Sequence, residues 1–120
     1  MNAVALASLT AARVLTLTTT GRVSGKPRTI EIWFAYYQGK LYLNAERAYD
    51  AKWVRNILHQ SRVRLCLGGL EFDGWARVLD PYQDAALWQI VCDLFRQKYG
   101  WGEGLPVEIK PIVNNKTYGP

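Results

Sequence analysis

Alternation of apolar and polar positions is the strongest signal along this chain. Over residues 28–37, RTIEIWFAYY, Ile30, Ile32, Phe34 and Tyr36 fall on one face and Thr29, Glu31, Trp33 and Ala35 on the other. That is the period of a β-strand. Residues 13–19 set Val14, Leu15 and Leu17 among threonines and read as the strand before it. After a Gln38-Gly39 turn, residues 40–45 oppose Leu41 and Leu43 to Tyr42 and Asn44, completing a strand–hairpin–strand unit. Residues 63–67 and 70–79 give two more strands around Gly68-Gly69. Residues 107–113 give a sixth, in which Pro111 marks an edge or a bulge.

Helical spacing governs two segments. In residues 51–60, Trp53 and Ile57 are four apart, as are Val54 and Leu58, so one apolar stripe forms. Lys52, Arg55 and Asn56 are then expected at its edge or outside, with Asp50 as N-cap. The second helix begins well at Asp80-Pro81, with Gln83 three residues on. Leu87, Ile90, Val91, Leu94 and Phe95 make its core face, and Gly100 ends it. Residues 3–12 read as a short helix. Six strands in antiparallel order with helices inserted late predict a mainly β fold, a small barrel with flanking helices.

A chain of 120 residues is one domain on length, and its composition is that of a globular protein. Cys66 and Cys92 lie far apart and His59 is the single histidine, which excludes a familiar zinc site and predicts two reduced, partly buried thiols. There is no base before Arg13, and Ser8 and Thr10 interrupt the first apolar run, so neither a signal peptide nor a membrane span is expected. A soluble, cytoplasmic protein follows. Charge then sharpens the picture. Nine bases and three acids between Arg22 and Arg64 give +6, leaving −1 for the rest of a chain of net +5. Part of the surface is basic and suits an anionic partner.

The densest basic stretch is TTTGRVSGKPR, residues 18–28, a hairpin tip with Gly21, Gly25, Arg22, Lys26 and Arg28. It is neither a Walker A loop nor G-x-G-x-x-G. Its glycines allow backbone N–H groups to turn inward as an anion nest, its bases add charge-assisted donors, and Ser24 adds a hydroxyl. A second candidate is YDAKWVRN, residues 49–56, where a helix N-terminus with Lys52 beside it suits a phosphate. Spacing places Trp53 in the core ahead of a stacking role. Side chains for acid–base or nucleophilic catalysis are nearly absent, which points to chemistry borrowed from a cofactor, and so to redox.

LTTTGRVSGKPRTIEIWF, GKLYLNAER and AKWVRNILHQSRVRLCLGG together resemble the deazaflavin-dependent nitroreductase and quinone-reductase family. That family sits among the flavin/deazaflavin oxidoreductases, and the resemblance implies the split β-barrel shared with pyridoxamine-phosphate-oxidase-like FMN proteins. It implies coenzyme F420, with FMN or FAD as alternatives, and hydride transfer to a quinone, nitroaromatic or other electron-poor acceptor. It assigns Arg22, Ser24, Lys26, Arg28, Thr29, Ile30 and Ile32 to the cofactor's phosphate and ring. Asn44, Ala45 and Glu46 would line the ring's edge, and Lys52, Trp53 and Asn56 the phosphate side. Val23 stands where many relatives have a base, and Glu46 where they have a small or hydroxylic residue. Tyr99 and Trp101 are the aromatic candidates to cover a substrate. Split barrels of this kind pair across the sheet, so a homodimer is expected, and the apolar Trp33–Ala35 face agrees. A flavin carrier or a basic nucleic-acid-binding barrel stacking bases on Trp33, Tyr36 and Tyr42 is the competing class.

Overall fold

The alternating run over residues 28–37 does not form one strand. In the computed structural model, which describes residues 9–112, it divides at Phe34 into β2 (Pro27–Trp33) and β3 (Ala35–Tyr37). Phe34 and Ala35 are consecutive and both buried, on opposite sides of the sheet. Phe34 enters the barrel interior, whereas Ala35 packs under a helix on the outside. The backbone of Phe34, left without a ladder partner at this switch, is satisfied by a side chain. Its N–H donates to Tyr99 Oη at 3.1 Å, and its carbonyl lies 2.9 Å from the same hydroxyl. Lys98 Nζ donates to that carbonyl at 3.1 Å. Buried backbone groups must find partners, and this break survives because these two residues supply them.

The other strands are β1 (Val14–Thr20), β4 (Lys40–Ala45), β5 (Arg62–Leu67), β6 (Leu70–Val78) and β7 (Leu105–Pro111). All seven form one antiparallel sheet in the order β2-β1-β5-β6-β7-β4-β3. The two edge strands are consecutive in the chain, so the curled sheet is a split barrel whose gap only Phe34 bridges. Seven strands replace the six expected, and the expected fold class holds. β7 is interior, not an edge: its prolines occupy the second and last positions, Pro106 and Pro111, where a missing N–H is least disruptive.

Leu15, Leu17, Leu41, Leu43, Leu65 and Ile109 fill the barrel and are almost inaccessible. α1 (Lys52–His59) lies against one end, and α2 (Ala85–Tyr99) covers the outer face of β3 and β4 through Val91 and Phe95. Asp80 caps the turn that leads into α2, its Oδ1 accepting from the N–H groups of Tyr82 and Gln83 at 2.8 Å each. Gly100 closes the helix with φ 80°. Residues 9–12 form a hydrogen-bonded turn where a helix was expected, and residues 3–8 lie outside the described residues. Asp50 is not the N-cap of α1. It ends a 3-10 turn (Ala48–Asp50) and pairs with Arg55 at 3.3 Å, while Ala51 takes the cap position without any side-chain bond. Leu58, expected on the apolar stripe, is 60% exposed.

Candidate functional site

Where the barrel is split, an open cleft of about 1490 Å³ separates β2 from the end of β4 and the start of α1. Every residue from Pro27 to Trp33 lines it, so β2 presents its unpaired edge as well as a face. Register fixes which side chains turn inward: Ile30 and Ile32 lie opposite Leu17 and Leu15 of β1, on the barrel side, and Arg28 lies opposite Thr19. The result is an apolar strip with a base at its end.

The hairpin tip lies at that end, with four of its backbone donors spent inside the protein. Gly21 N–H donates to the Lys26 carbonyl and Gly25 N–H to the Gly21 carbonyl, both at 2.8 Å. Arg22 N–H goes to Asn56 Oδ1 at 3.2 Å and Lys26 N–H to Ser24 Oγ at 3.1 Å. These four backbone donors close the loop on itself. Gly21 is required there, because a Cβ would stand 2.8 Å from Ser24 Oγ and 3.1 Å from the Lys26 carbonyl. What the tip offers an anion is chiefly side-chain charge, beside the N–H groups of Val23 and Ser24. Arg22, Arg28, Arg47 and Lys52 all line the cleft, and none forms an ion pair among the described residues. Arg55 also lines it but is engaged by Asp50. The N-terminus of α1, with no side-chain cap, opens onto the same space through Ala51, Lys52 and Trp53. Glu31 and Glu46 are the opposing charges on the wall.

Asn56 is a correction to the helical reading. It is 4% exposed, not at the surface. Its Nδ2 donates to Thr19 Oγ1 at 3.1 Å, and its Oδ1 accepts from the Arg22 backbone and, at 3.4 Å, from the Arg22 guanidinium. Asn44 is the opposite case. It is 8% exposed, lines the cleft, and neither amide atom has a hydrogen-bond partner. Gly104 crowds it, since a Cβ on that glycine would overlap Asn44 Oδ1. An orphaned amide of this kind costs about 1–3 kcal/mol unless a ligand completes it.

Of the thirteen residues assigned to the cofactor from sequence, the cleft gathers Arg22, Ser24, Arg28, Thr29, Ile30, Ile32, Asn44, Glu46, Lys52, Trp53 and Asn56. Lys26 and Ala45 do not line it, and Ala45 is buried in a small cluster with Val54 and Leu105. Arg47 and Trp101 do, although the cofactor assignment omitted both. His59, Cys66 and Cys92 are elsewhere, and burial pushes the Cys92 thiol up. Tyr99 is spent on structure: it stacks on Trp33 with centroids 4.3 Å apart and its hydroxyl is tied to Phe34. Tyr42 is 2% exposed and bonded to Glu108, so it offers no stacking platform.

Residues 2–110 match the family model of the F420H(2)-dependent quinone reductases. The chain belongs to that family. It is a family of oxidoreductases that work with reduced coenzyme F420, as the tip and α1 motifs led one to expect. No curated protein matches the chain significantly. Solved structures agree on the fold. A candidate pyridoxamine 5'-phosphate oxidase from Listeria innocua is similar over 91% of each chain, with TM-score 0.73 and 18% identity. A FAD-binding protein from Mesorhizobium loti has TM-score 0.72 and 17% identity, over 94% of this chain and 91% of that one. An F420-H2 dependent reductase, FDR-A, has TM-score 0.59 and 23% identity, over 81% of this chain and 92% of that one. Among the described residues no helix is long and apolar enough to cross a membrane.

The residues fit the family's cofactor. Coenzyme F420 joins a flat deazaflavin ring to a phosphate, and the cleft pairs an apolar strip and an orphaned amide with four bases free of ion pairs. Family membership also gives the two departures a place. Val23 is 91% exposed at the tip, and Glu46 sits on the wall beside Arg47.

Proposed function

We propose that this protein binds coenzyme F420 in the cleft and reduces a quinone, nitroaromatic or similar electron-poor acceptor. The reduced deazaflavin supplies the hydride. Arg22, Arg28 and Lys52 would hold the phosphate, and Ile30 and Ile32 would pack on the ring. Asn44, with both a donor and an acceptor unused, suits the ring's amide-like edge. Trp53 and Trp101 flank the space and would exclude water from it. His59, Cys66 and Cys92 lie off the cleft, so solvent would protonate the product. The observation that carries this reading is the cluster of four bases without ion pairs around a single cleft with an apolar strip. Titration of the purified protein with F420, FMN and FAD, followed by absorbance and fluorescence, tests it. F420 should bind tightest, and tighter binding of FMN or FAD would overturn the cofactor assignment.

The active unit is proposed to be a homodimer, joined through β2. Val14, Ile30 and Trp33 are 40%, 36% and 42% exposed and cluster on that strand and its neighbour. An edge strand open on both faces supports this reading. One similar structure, TM-score 0.60 at 23% identity over 81% of this chain and 78% of that one, is described as a domain-swapped dimer. Sedimentation as a monomer at micromolar concentration would refute it.

A further inference from the structure

We propose that Asn56 is a positioning residue: it fixes Arg22 against α1 and touches no ligand itself. This rests on the F420 reading above and changes one of its assignments, since the family resemblance made Asn56 a cofactor contact. Chemistry settles which way the amide faces. The Arg22 backbone N–H and guanidinium are donors only, so the atom 3.2 and 3.4 Å from them is the carbonyl oxygen. The nitrogen is then left for Thr19 Oγ1 at 3.1 Å, on a residue only 2% exposed. Both polar atoms of Asn56 are used inside the protein. Its anchors sit at the end of β1 and at the root of the tip, and Asn56 itself lies one turn along α1 from Lys52. A single buried amide therefore sets the spacing between Arg22 and Lys52, two cleft bases free of ion pairs. Anion binding by two fixed charges depends on that spacing more than on either charge alone.

Two variants separate this role from direct contact and from general structure. Asn56→Ala removes the strut. Asn56→Asp keeps an acceptor for Arg22 but sets a buried negative charge against its guanidinium, in competition with the phosphate. Amide hydrogen exchange at Arg22 in the cofactor-free protein should rise more than about tenfold in Asn56→Ala, with barrel amides unchanged, and stay near wild type in Asn56→Asp. F420 affinity should fall about tenfold or more in both variants, while affinity for the phosphate-free deazaflavin nucleoside changes less than about threefold. Equal losses for the two ligands would place Asn56 on the ring and overturn the proposal. Unchanged Arg22 exchange in Asn56→Ala would also overturn it. If wild type binds neither ligand, the F420 reading fails and the phosphate role with it, whereas the exchange data still decide whether Asn56 holds Arg22.

Discussion

Tyr42 and Asn44 stand two residues apart on the same face of β4, and the protein treats them oppositely. Tyr42 donates to Glu108 at 3.0 Å, and Glu108 also meets Arg77 at 3.4 Å and Lys40 at 3.6 Å. Arg77 continues to Asp84 at 2.8 Å, and that guanidinium holds the Asp84 carboxyl below the usual carboxylate range. Burial and then Glu108 push the Tyr42 phenol well above its ordinary value. Among the described residues, no fully buried side-chain polar atom of this cluster lacks a partner. Two residues along, Asn44 has none, and the bases across the cleft from it have no acids. The same contrast divides the basic span of the sequence. Arg62 and Arg64 share Asp73 on the far side of the sheet, at 2.9 and 3.3 Å, whereas Arg22, Arg28, Arg47 and Lys52 stay unmatched at the cleft. Polar groups are completed where they hold the fold, whereas at the cleft one amide has no hydrogen-bond partner and four bases have no ion pair among the described residues.

That contrast can be broken from either side. The largest effect is expected at Glu108→Ala, which strands the buried Tyr42 hydroxyl and takes the acid from Lys40 and Arg77, and should lower unfolding free energy by about 2–3 kcal/mol. F420 affinity at temperatures where the variant is folded should change little. A denaturant melt showing less than about 1 kcal/mol of loss would mean that the network is ornamental. Arg28→Ala should do the reverse, weakening F420 binding by about 1.5–3 kcal/mol with stability nearly unchanged. Unaltered affinity in a fluorescence titration would remove Arg28 from the site. Asn44→Leu sharpens the point, because it should combine a stability gain of about 1 kcal/mol with weaker cofactor binding. A variant that is both less stable and fully competent would show that the amide has an internal role.

The smallest effect concerns Lys98, a half-buried ammonium held by the Thr10 and Phe34 carbonyls, at 3.1 Å each, and set against the Phe34 and Tyr99 rings. Burial and the neighbouring Arg13 bring its pKa from 10.5 down to about 8. Between those two values the unfolded chain binds more protons than the folded one, so Lys98 makes stability rise with pH from about 8 towards 10.5. Melting temperatures recorded through this range should show a rise in wild type that Lys98→Met lacks. Parallel curves for the two proteins would contradict the assignment.

Much of this was legible in the sequence, and the failures have physical causes. Strand positions followed from period-two alternation; positive charge at the tip and at the helix start pointed to an anion, and the family resemblance supplied the eleven residues shared with the cleft. The break at Phe34 was not legible, because periodicity reports which face a side chain takes and not which neighbour its strand pairs with. Tyr99 and Lys98, 65 and 64 residues away, make the break tolerable. Asn56 was misplaced because a helical wheel ranks faces by hydrophobicity, and a buried amide with three bonds looks polar on it. The tip's backbone was only partly legible for a related reason: glycine predicts that N–H groups are free to turn, but Lys26 and Asn56 take up those of Gly21 and Arg22. Trp101 and Arg47 carried no pattern of their own and entered the cleft through the loops that hold them.

The one-residue bridge at Phe34 also bears on how the chain finds its shape. β1 with β2 and β3 with β4 are hairpins of near neighbours in sequence, and both lie within a stretch ending at Ala45. Sealing the sheet instead requires β4 to find β7, with Leu41 pairing Ile109 across most of the chain. Contacts that distant are entropically slow to form, so assembly speed is set at the β4–β7 seam and not at the hairpins. The cleft, framed by the early hairpin of β2 and the late anchoring of β4, comes into being only with that last step.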